Sequence, residues 1–507
     1  MNLRTIDKRV MVLGDGETAV RLSKALNTSG LDSYLLWAGG TPPEGIPEGI
    51  AVILSARLVA LQGQVGDFTA TILSSDQFIR KLAGSVMVAF ESRTEPVFDV
   101  ATAPMHEGVA TLEDAEAILR GERQISGDVK TVVFLDRLDG ASTPASSERQ
   151  FNAILSFLDR GIKCYAIGCQ MKVASRNLEL LYGRARDGGC VFFKNDFLSI
   201  SFTQGRPLIR FEDLILHEEK VICADMVILA ENFMPGASLP ELREILGVET
   251  DKAGFMQADN VLRLPLQTNR RGVFVVGPSR APVTRWDLDQ EIPAAVSQVK
   301  ELFAWAESFP YEEVISFDID ACARCLTCFR SCPHGAIHFT NRPNFLALAC
   351  QQCGICTAFC PNEAIELRDM EKDRIKGLIA NERKGSDSAP VVVFACEKSG
   401  ARILNSIPSE DTLLRRIRWI QLPCGGTLRT QYLLDAIGNA SEIPERVMVL
   451  ACHEDNCRSG MGTIKARATV ERVKSFLDSV GWNQTKIEFI STASNEAERI
   501  RKLLAAS

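Results

Sequence analysis

Cys322-Ala-Arg-Cys325-Leu-Thr-Cys328-Phe-Arg-Ser-Cys332-Pro333 and Cys350-Gln-Gln-Cys353-Gly-Ile-Cys356-Thr-Ala-Phe-Cys360-Pro361 are one pattern written twice. Each cysteine recurs 28 residues on, and the tails Pro333-His-Gly-Ala-Ile and Pro361-Asn-Glu-Ala-Ile also align. The spacing sets the chemistry. Three cysteines two residues apart share one tight loop, so their thiolates can converge on three irons of a cubane. The fourth lies too far along its own segment to close that cluster. The proline after it turns the chain and has no N–H to satisfy.

Such runs resemble those of the bacterial two-cluster ferredoxins, and the resemblance implies that the fourth cysteine of each run serves the other cluster. Cys322, Cys325, Cys328 and Cys360 are therefore expected around one [4Fe–4S], and Cys350, Cys353, Cys356 and Cys332 around a second. A pair of zinc sites is the alternative, but zinc takes four ligands per site and gives no reason for two three-cysteine loops.

The chain has 507 residues, enough for about two to four domains and a sizeable core. Apolar residues make up 46% and charged residues 24%, as in an ordinary soluble globular protein. A net charge of −7 gives no basic field to recruit nucleic acid. No apolar run reaches the length of a membrane span. The N-terminal stretch reads as a strand entering a glycine turn, not as a signal peptide. With 16 cysteines, this points to a reducing cytoplasmic compartment and to metal binding rather than disulfides. Any membrane attachment would run through partner subunits, and low-potential clusters suit an anaerobic setting.

Upstream, Arg9 to Ala19 reads as a short apolar strand running into G-x-G-x-x-A, followed by an amphipathic helix. Gly14 makes the tight turn and Gly16 lets backbone approach a pyrophosphate at the helix N-terminus. The next strand, Ser33 to Ala38, should end in an acidic residue to hold a ribose, but ends in Trp37-Ala38-Gly39-Gly40. A Rossmann-like turn kept only for folding is thus the alternative. Over residues 41–125, short apolar strands are read as alternating with helical patterns. The strand at Thr131, the helix around Phe151–Arg160 and the strand at Lys163 form a βαβ unit, so the sheet is expected to be parallel. No second glycine fingerprint follows the strand at Val132, which argues against a nicotinamide site there.

Residues 272–304 read Gly-Val-Phe-Val-Val-Gly277-Pro278-Ser279-Arg280, then Glu291-Ile292-Pro293-Ala-Ala-Val and a helix. This resembles the flavin-binding end of the A subunit of heterodisulfide reductase, whose order the segment from about Lys130 to Leu302 follows. The resemblance implies FAD, held by Gly14 and Gly16, by the loop Gly277, Pro278, Ser279 and Arg280, and by the helix N-terminus at Ile292 and Pro293. The remaining cysteines here, Cys164, Cys169, Cys190 and Cys223, are irregularly spaced and read as core residues.

The last stretch repeats one design. Apolar strands end at Cys396, at Cys424 before Gly425-Gly426, and at Cys452, with Cys457 five residues on. Strands of a parallel sheet share one carboxyl edge, so these four cysteines should meet there. Four thiolates suit [2Fe–2S] or zinc. The pattern resembles the delta subunit of methyl-viologen-reducing hydrogenase, which implies [2Fe–2S]. His453 is expected to hydrogen-bond near the cluster or face solvent.

The expected fold class is α/β: a Rossmann-like flavoprotein domain (1–308), a tandem [4Fe–4S] ferredoxin domain (312–370), a linker (371–388) and a small α/β [2Fe–2S] domain (389–507). The combination resembles the B subunit of the quinone-interacting membrane-bound oxidoreductase. It implies an oxidoreductase subunit relaying electrons between FAD, two [4Fe–4S], one [2Fe–2S] and partner redox subunits. The partners would belong to a heterodisulfide reductase-like, hydrogenase or quinone-linked complex, with ferredoxin also a candidate. A flavin-free conduit or scaffold is the alternative. No catalytic constellation stands out, and nothing recommends a stand-alone NADH oxidase or an iron–sulfur regulator. Arg324, Arg330, His334 and Arg342 lie beside the first repeat, which is therefore expected to carry the higher-potential cluster.

Overall fold

The computed structural model describes residues 5–97, 108–123, 129–138, 140, 142–256, 260, 262–310, 314–380, 391–409, 411–438 and 443–505. Its first sheet is wholly parallel. Strand order is Val273–Val275, Ser85–Ala89, Val10–Gly14, Ser33–Trp37, Ala51–Ile53. Val10–Gly14 and Ser85–Ala89 are buried at every position, because both faces of the sheet are covered. The helices Glu17–Thr28 and Arg285–Ser308 cover one face. A three-stranded antiparallel meander, Ala56–Gln64, Asp67–Ser74 and Gln77–Ala83, covers the other. That meander occupies a region where helices are expected from the sequence. Turns such as Val65-Gly66 and Ser75-Asp76, with Gly66, Ser75 and Asp76 at positive φ, return the chain at hairpin spacing.

A second unit repeats this plan. Its sheet order is Val191–Lys194, Lys163–Gly168, Thr131–Leu135, Met226–Leu229, Val109–Thr111, again parallel. Its own meander is Leu198–Thr203, Arg206–Asp213 and Glu218–Cys223. The unit is an insertion. The chain leaves the first sheet through Arg93–Pro96 and returns through Glu231–Met234, and these two segments pair antiparallel.

The two cysteine runs fold with internal symmetry. Ile315–Phe317 pairs with Ile365–Leu367, and Ile337–Phe339 with Pro343–Phe345. Short helices Thr327–Ser331 and Ile355–Ala358 follow the two loops. Arg324 and Gln352 share a left-handed φ, as do Leu326 and Gly354, so the loops have one backbone shape. Three non-glycine residues held there mark loops whose conformation is over-determined by their surroundings.

The stretch from Arg368 to Lys384, expected to be a charged helical spacer, does form a helix over Lys372–Ala380, but Ile375 and Ile379 are buried in a shared core instead of spanning a solvated gap. Their i,i+4 spacing puts both on one face. The expected flexible segment around Gly385 lies outside the described residues. The last domain is a four-stranded parallel sheet, ordered Ile417–Leu422, Val391–Cys396, Arg446–Ala451, Lys486–Ser491. One hydrophobic cluster joins Ile337 and Ile365 of the cysteine-run unit to Phe394, Leu433 and Val449 of this sheet. The two units therefore share a core. No described helix is long and apolar enough to cross a membrane.

Candidate metal centres and nucleotide edges

Cys322, Cys325, Cys328 and Cys360 line one cavity, walled by Phe317, Phe339 and Pro361. Burial, and then the charges of Cys360, Cys325 and Cys322, push the Cys328 thiol up. Cys332 lies instead among Cys350, Cys353 and Cys356. Burial and these neighbours push Cys353 up to about 12 and Cys356 well above the usual thiol range. The structure thus sorts the eight cysteines into crossed sets. Crowded thiols in a low dielectric keep their protons, and a bound cation reverses that preference. Among the described residues no group of three or more His, Cys, Asp or Glu side chains is posed to hold a single metal ion.

Cys396, Cys424, Cys452 and Cys457 form a buried group at the carboxyl edge of the last sheet. Cys396 Sγ and Cys452 Sγ are 3.8 Å apart. Hydrogen bonds from Cys424 and Cys452 hold Cys396 well below the usual thiol range. A hydrogen bond from Cys424 brings Cys457 down to about 6. Backbone N–H groups of Lys398 and Gly425 also aim at Cys396, and those of Ser459 and Thr463 at Cys457. These N–H groups favour thiolates, the form that binds metal. His453, expected to hydrogen-bond near the cluster or face solvent, has its Nε2 3.2 Å from Glu496 Oε1.

Gly462 keeps this group closed, since a Cβ there would collide with the Cys424 sulfur. Gly462→Ala is expected to displace that thiol at a cost of about 1–3 kcal/mol. The measurement that checks this is the metal bound per chain and the melting temperature of Gly462→Ala, both of which should fall.

The sets are contiguous. Cys353 packs against the four-thiol group. Thr427 Oγ1 donates to the Cys353 carbonyl at 2.8 Å, and Asn260 Nδ2 to the Cys457 carbonyl at 3.0 Å. The other four cysteines form no set. Cys164 and Cys190 are buried and Cys223, expected inside an apolar strand, is exposed because it closes a meander strand.

Charge lies where the sequence does not put it. Arg324 reaches Asn341, Arg342 reaches the Ile319 carbonyl, and both contacts lie at the exposed surface. Against the second set, Arg271 Nη1 donates to the carbonyls of Leu348 (2.9 Å) and Cys350 (3.2 Å). Arg271, Arg270, Arg263 and Arg458 line one cavity with Gln351 and Trp305. These arginines are far from the runs in sequence, so only tertiary structure reveals them.

The nucleotide edges fit FAD poorly. Gly14 ends its strand and packs against Ala19 and Ala89, as a tight turn requires. Gly16 precedes the helix, but the space it leaves is taken: a Cβ there would collide with Glu91 Cγ. Thr18 N–H donates to Glu91 Oε1 at 2.9 Å. Gly277 N–H donates to Glu291 Oε2 at 2.8 Å, and Arg280 pairs with the same carboxylate. Ser279 exchanges hydrogen bonds with the Phe90 backbone, while Pro278 sits in the 3₁₀ turn Gly277–Ser279. Ile292 and Pro293 are not at a helix N-terminus. The helix starts at Arg285, where a Thr284–Asp287 capping box closes it, so both residues lie about two turns inside. In the inserted unit, Asp136 occupies the corresponding edge, held by Ser142 and by the Arg137 N–H. The residues expected to hold an FAD diphosphate do not fit one at the first edge. Asp15 and Glu17 inside the glycine turn are the signal in the sequence that could have shown this.

Residues 391–506 match the family described as methyl-viologen-reducing hydrogenase, delta subunit, and residues 314–337 match a 4Fe-4S binding domain. The A subunit of the ferredoxin:CoB-CoM heterodisulfide reductase of Methanosarcina mazei is 24% identical over 65% of this chain and 42% of its own length. The chain thus resembles heterodisulfide reductase A subunits over about two thirds of its length, and a hydrogenase delta subunit over residues 391–506. The iron-sulfur A subunit of the CoB–CoM heterodisulfide reductase of Methanocaldococcus jannaschii is 28% identical over 35% of this chain and 28% of its own length. The chain spans less than half the length of these curated relatives. Among solved structures, the T. acidophilum thioredoxin reductase aligns over 59% of this chain and 99% of its own, with a TM-score of 0.40 and 13% identity. A NAD-dependent persulfide reductase from A. fulgidus aligns over 96% and 99%, with a TM-score of 0.37 and 13% identity.

Proposed function

We propose that this chain is an electron-transfer subunit of a larger heterodisulfide reductase-like oxidoreductase. Cys322, Cys325, Cys328 and Cys360 hold one [4Fe–4S]; Cys332, Cys350, Cys353 and Cys356 hold a second; Cys396, Cys424, Cys452 and Cys457 hold a [2Fe–2S]. Bound in these places, the clusters exchange single electrons. The protein's own part is to fix their order and surroundings. The observation that carries the reading is the packing of Cys353 against the four-thiol group, which leaves no protein layer between two of the three sets. Thr427 and the shared apolar core make that junction rigid. The delta-subunit domain is the docking end for one partner, a hydrogenase, ferredoxin or quinone-linked subunit. The first thiol set, bordered by the half-exposed Phe329, faces another.

The full chain, purified without oxygen, should carry about ten irons and about ten sulfides. Its reduced form should give electron paramagnetic resonance signals of both cluster types. Zinc bound stoichiometrically in place of two irons would overturn the assignment of the last domain. Eight cysteines holding no iron would overturn the relay itself.

A further inference from the structure

We propose that the first nucleotide edge is closed by the chain's own carboxylate: Glu91 stands where a dinucleotide's diphosphate would lie, and the chain takes no FAD there. The helix Glu17–Thr28 has no side-chain cap from its N-cap residue, Gly16. Its free N-terminal donors are what an anion would use. Thr18 N–H already donates to Glu91 Oε1 at 2.9 Å, across 73 residues of sequence. Glu91 is itself anchored, because its N–H donates to Asp15 Oδ1 at 2.9 Å.

The fold places Glu91 there by register. Val10–Gly14 and Ser85–Ala89 pair in parallel with Gly14 opposite Ala89, so residues just past Ala89 rise beside the glycine turn. Gly16 has the openness a phosphate needs, but Glu91 Cγ and Oε1 fill that opening. Asp15, Glu17 and Glu91 bring three acidic side chains to one turn, and a diphosphate would meet like charge on each side. Burial pushes the Glu91 carboxyl up, with Asp15 and Glu17 adding to it.

The remaining contacts agree. Glu291 accepts from the Gly277 N–H, and the adjoining helix starts too early to present a free N-terminus at Ile292. Trp37 ends the strand where an acid would hold a ribose, and a Cβ on Gly39 would press on its ring. The first unit is therefore a scaffold that carries the cysteine-run unit, through Asn269 Nδ2 on the Pro333 carbonyl and Arg271 on the Cys350 carbonyl. If the relay reading above holds, this chain passes single electrons only. A two-electron donor or acceptor, a flavin or a dithiol–disulfide pair, then belongs to a partner subunit, which releases or collects its two electrons in two successive steps.

The test is flavin binding by the full chain. The anaerobically purified protein is incubated with FAD, desalted, and assayed for flavin absorbance and for iron. No stoichiometric flavin is expected, with iron retained. Glu91→Gly, and Glu91→Gly combined with Asp15→Ala, are expected to tighten FAD binding by about tenfold or more. One FAD per chain in the unaltered protein would overturn the proposal. Variants that keep their iron and still show no gain in FAD binding would overturn the role given to Glu91. Loss of iron from the unaltered chain would count against the relay reading, and the flavin result would stand apart from it.

Discussion

Cys360→Ala is expected to remove the cluster built on the first loop and leave the cluster of its own repeat in place. Cys332→Ala should do the reverse. The reason is spatial: Cys360 lines the cavity of Cys322, Cys325 and Cys328, whereas Cys332 lies among Cys350, Cys353 and Cys356. Each variant should lose about four of about ten irons. Mössbauer or paramagnetic resonance spectra of the two variants would then show complementary losses. Variants that each lose the cluster of their own repeat would mean that each run closes its own cubane, and the crossed assignment would fall. Stability should fall as well, since ligand binding to a site absent from the unfolded chain adds to folding free energy. The effect should be larger for Cys332→Ala, because the second set adjoins the last domain through Cys353 and Thr427. A lower melting temperature for that variant than for Cys360→Ala would bear this out.

Much of this arrangement was legible in residue spacing. The 28-residue repeat places equivalent residues in equivalent conformations, down to the left-handed pair Leu326 and Gly354. Runs such as Val391 to Cys396, apolar throughout, read as parallel strands because only a sheet covered on both faces buries every side chain. Their shared carboxyl edge then placed four cysteines without further information. Other features were not legible, for physical reasons. The antiparallel meanders carry mixed, half-exposed patterns such as that of Gln77–Ala83, which has no clear period. The insertion between Pro96 and Glu231 leaves no compositional mark, because both units use the same apolar vocabulary. The helix at Arg285 was hidden by Pro293. Proline after isoleucine reads as a helix start, yet it lies inside a helix that Thr284 and Asp287 open earlier. Glu91 and Arg271 act across 73 and 79 residues of chain, and no local pattern reports such contacts.

Such tertiary contacts argue for the opposite order of cluster potentials from the one expected along the sequence. Counting arginines along the sequence favours the first repeat, but exposed charges beside a cluster are screened by solvent and contribute little. Arg324 and Arg330 are exposed, and among the described residues Arg324 is held only by the amide oxygen of Asn341, itself exposed. Arg271 differs in each respect. It is largely buried, its guanidinium stacks 4.4 Å from the Trp305 ring centroid, and Nη1 donates to the Cys350 carbonyl. Burial lowers its pKa to about 10, which still leaves it charged at neutral pH. A fixed positive charge favours the more negative, reduced state of a neighbouring centre and so raises its potential. About 1.4 kcal/mol of such stabilisation corresponds to roughly 59 mV for a one-electron couple. Arg271→Gln is therefore expected to lower the potential of the cluster on Cys350, Cys353, Cys356 and Cys332 by about 50 mV. Arg324→Gln should leave the other cluster within error of its original value. A redox titration followed by paramagnetic resonance checks both, with signals assigned through the cysteine variants above. A shift on Arg324→Gln and none on Arg271→Gln would refute this order. With the higher potential at the second set, electrons entering at the first would run downhill toward the four-thiol group, and the junction at Cys353 would be where they pause before leaving the chain.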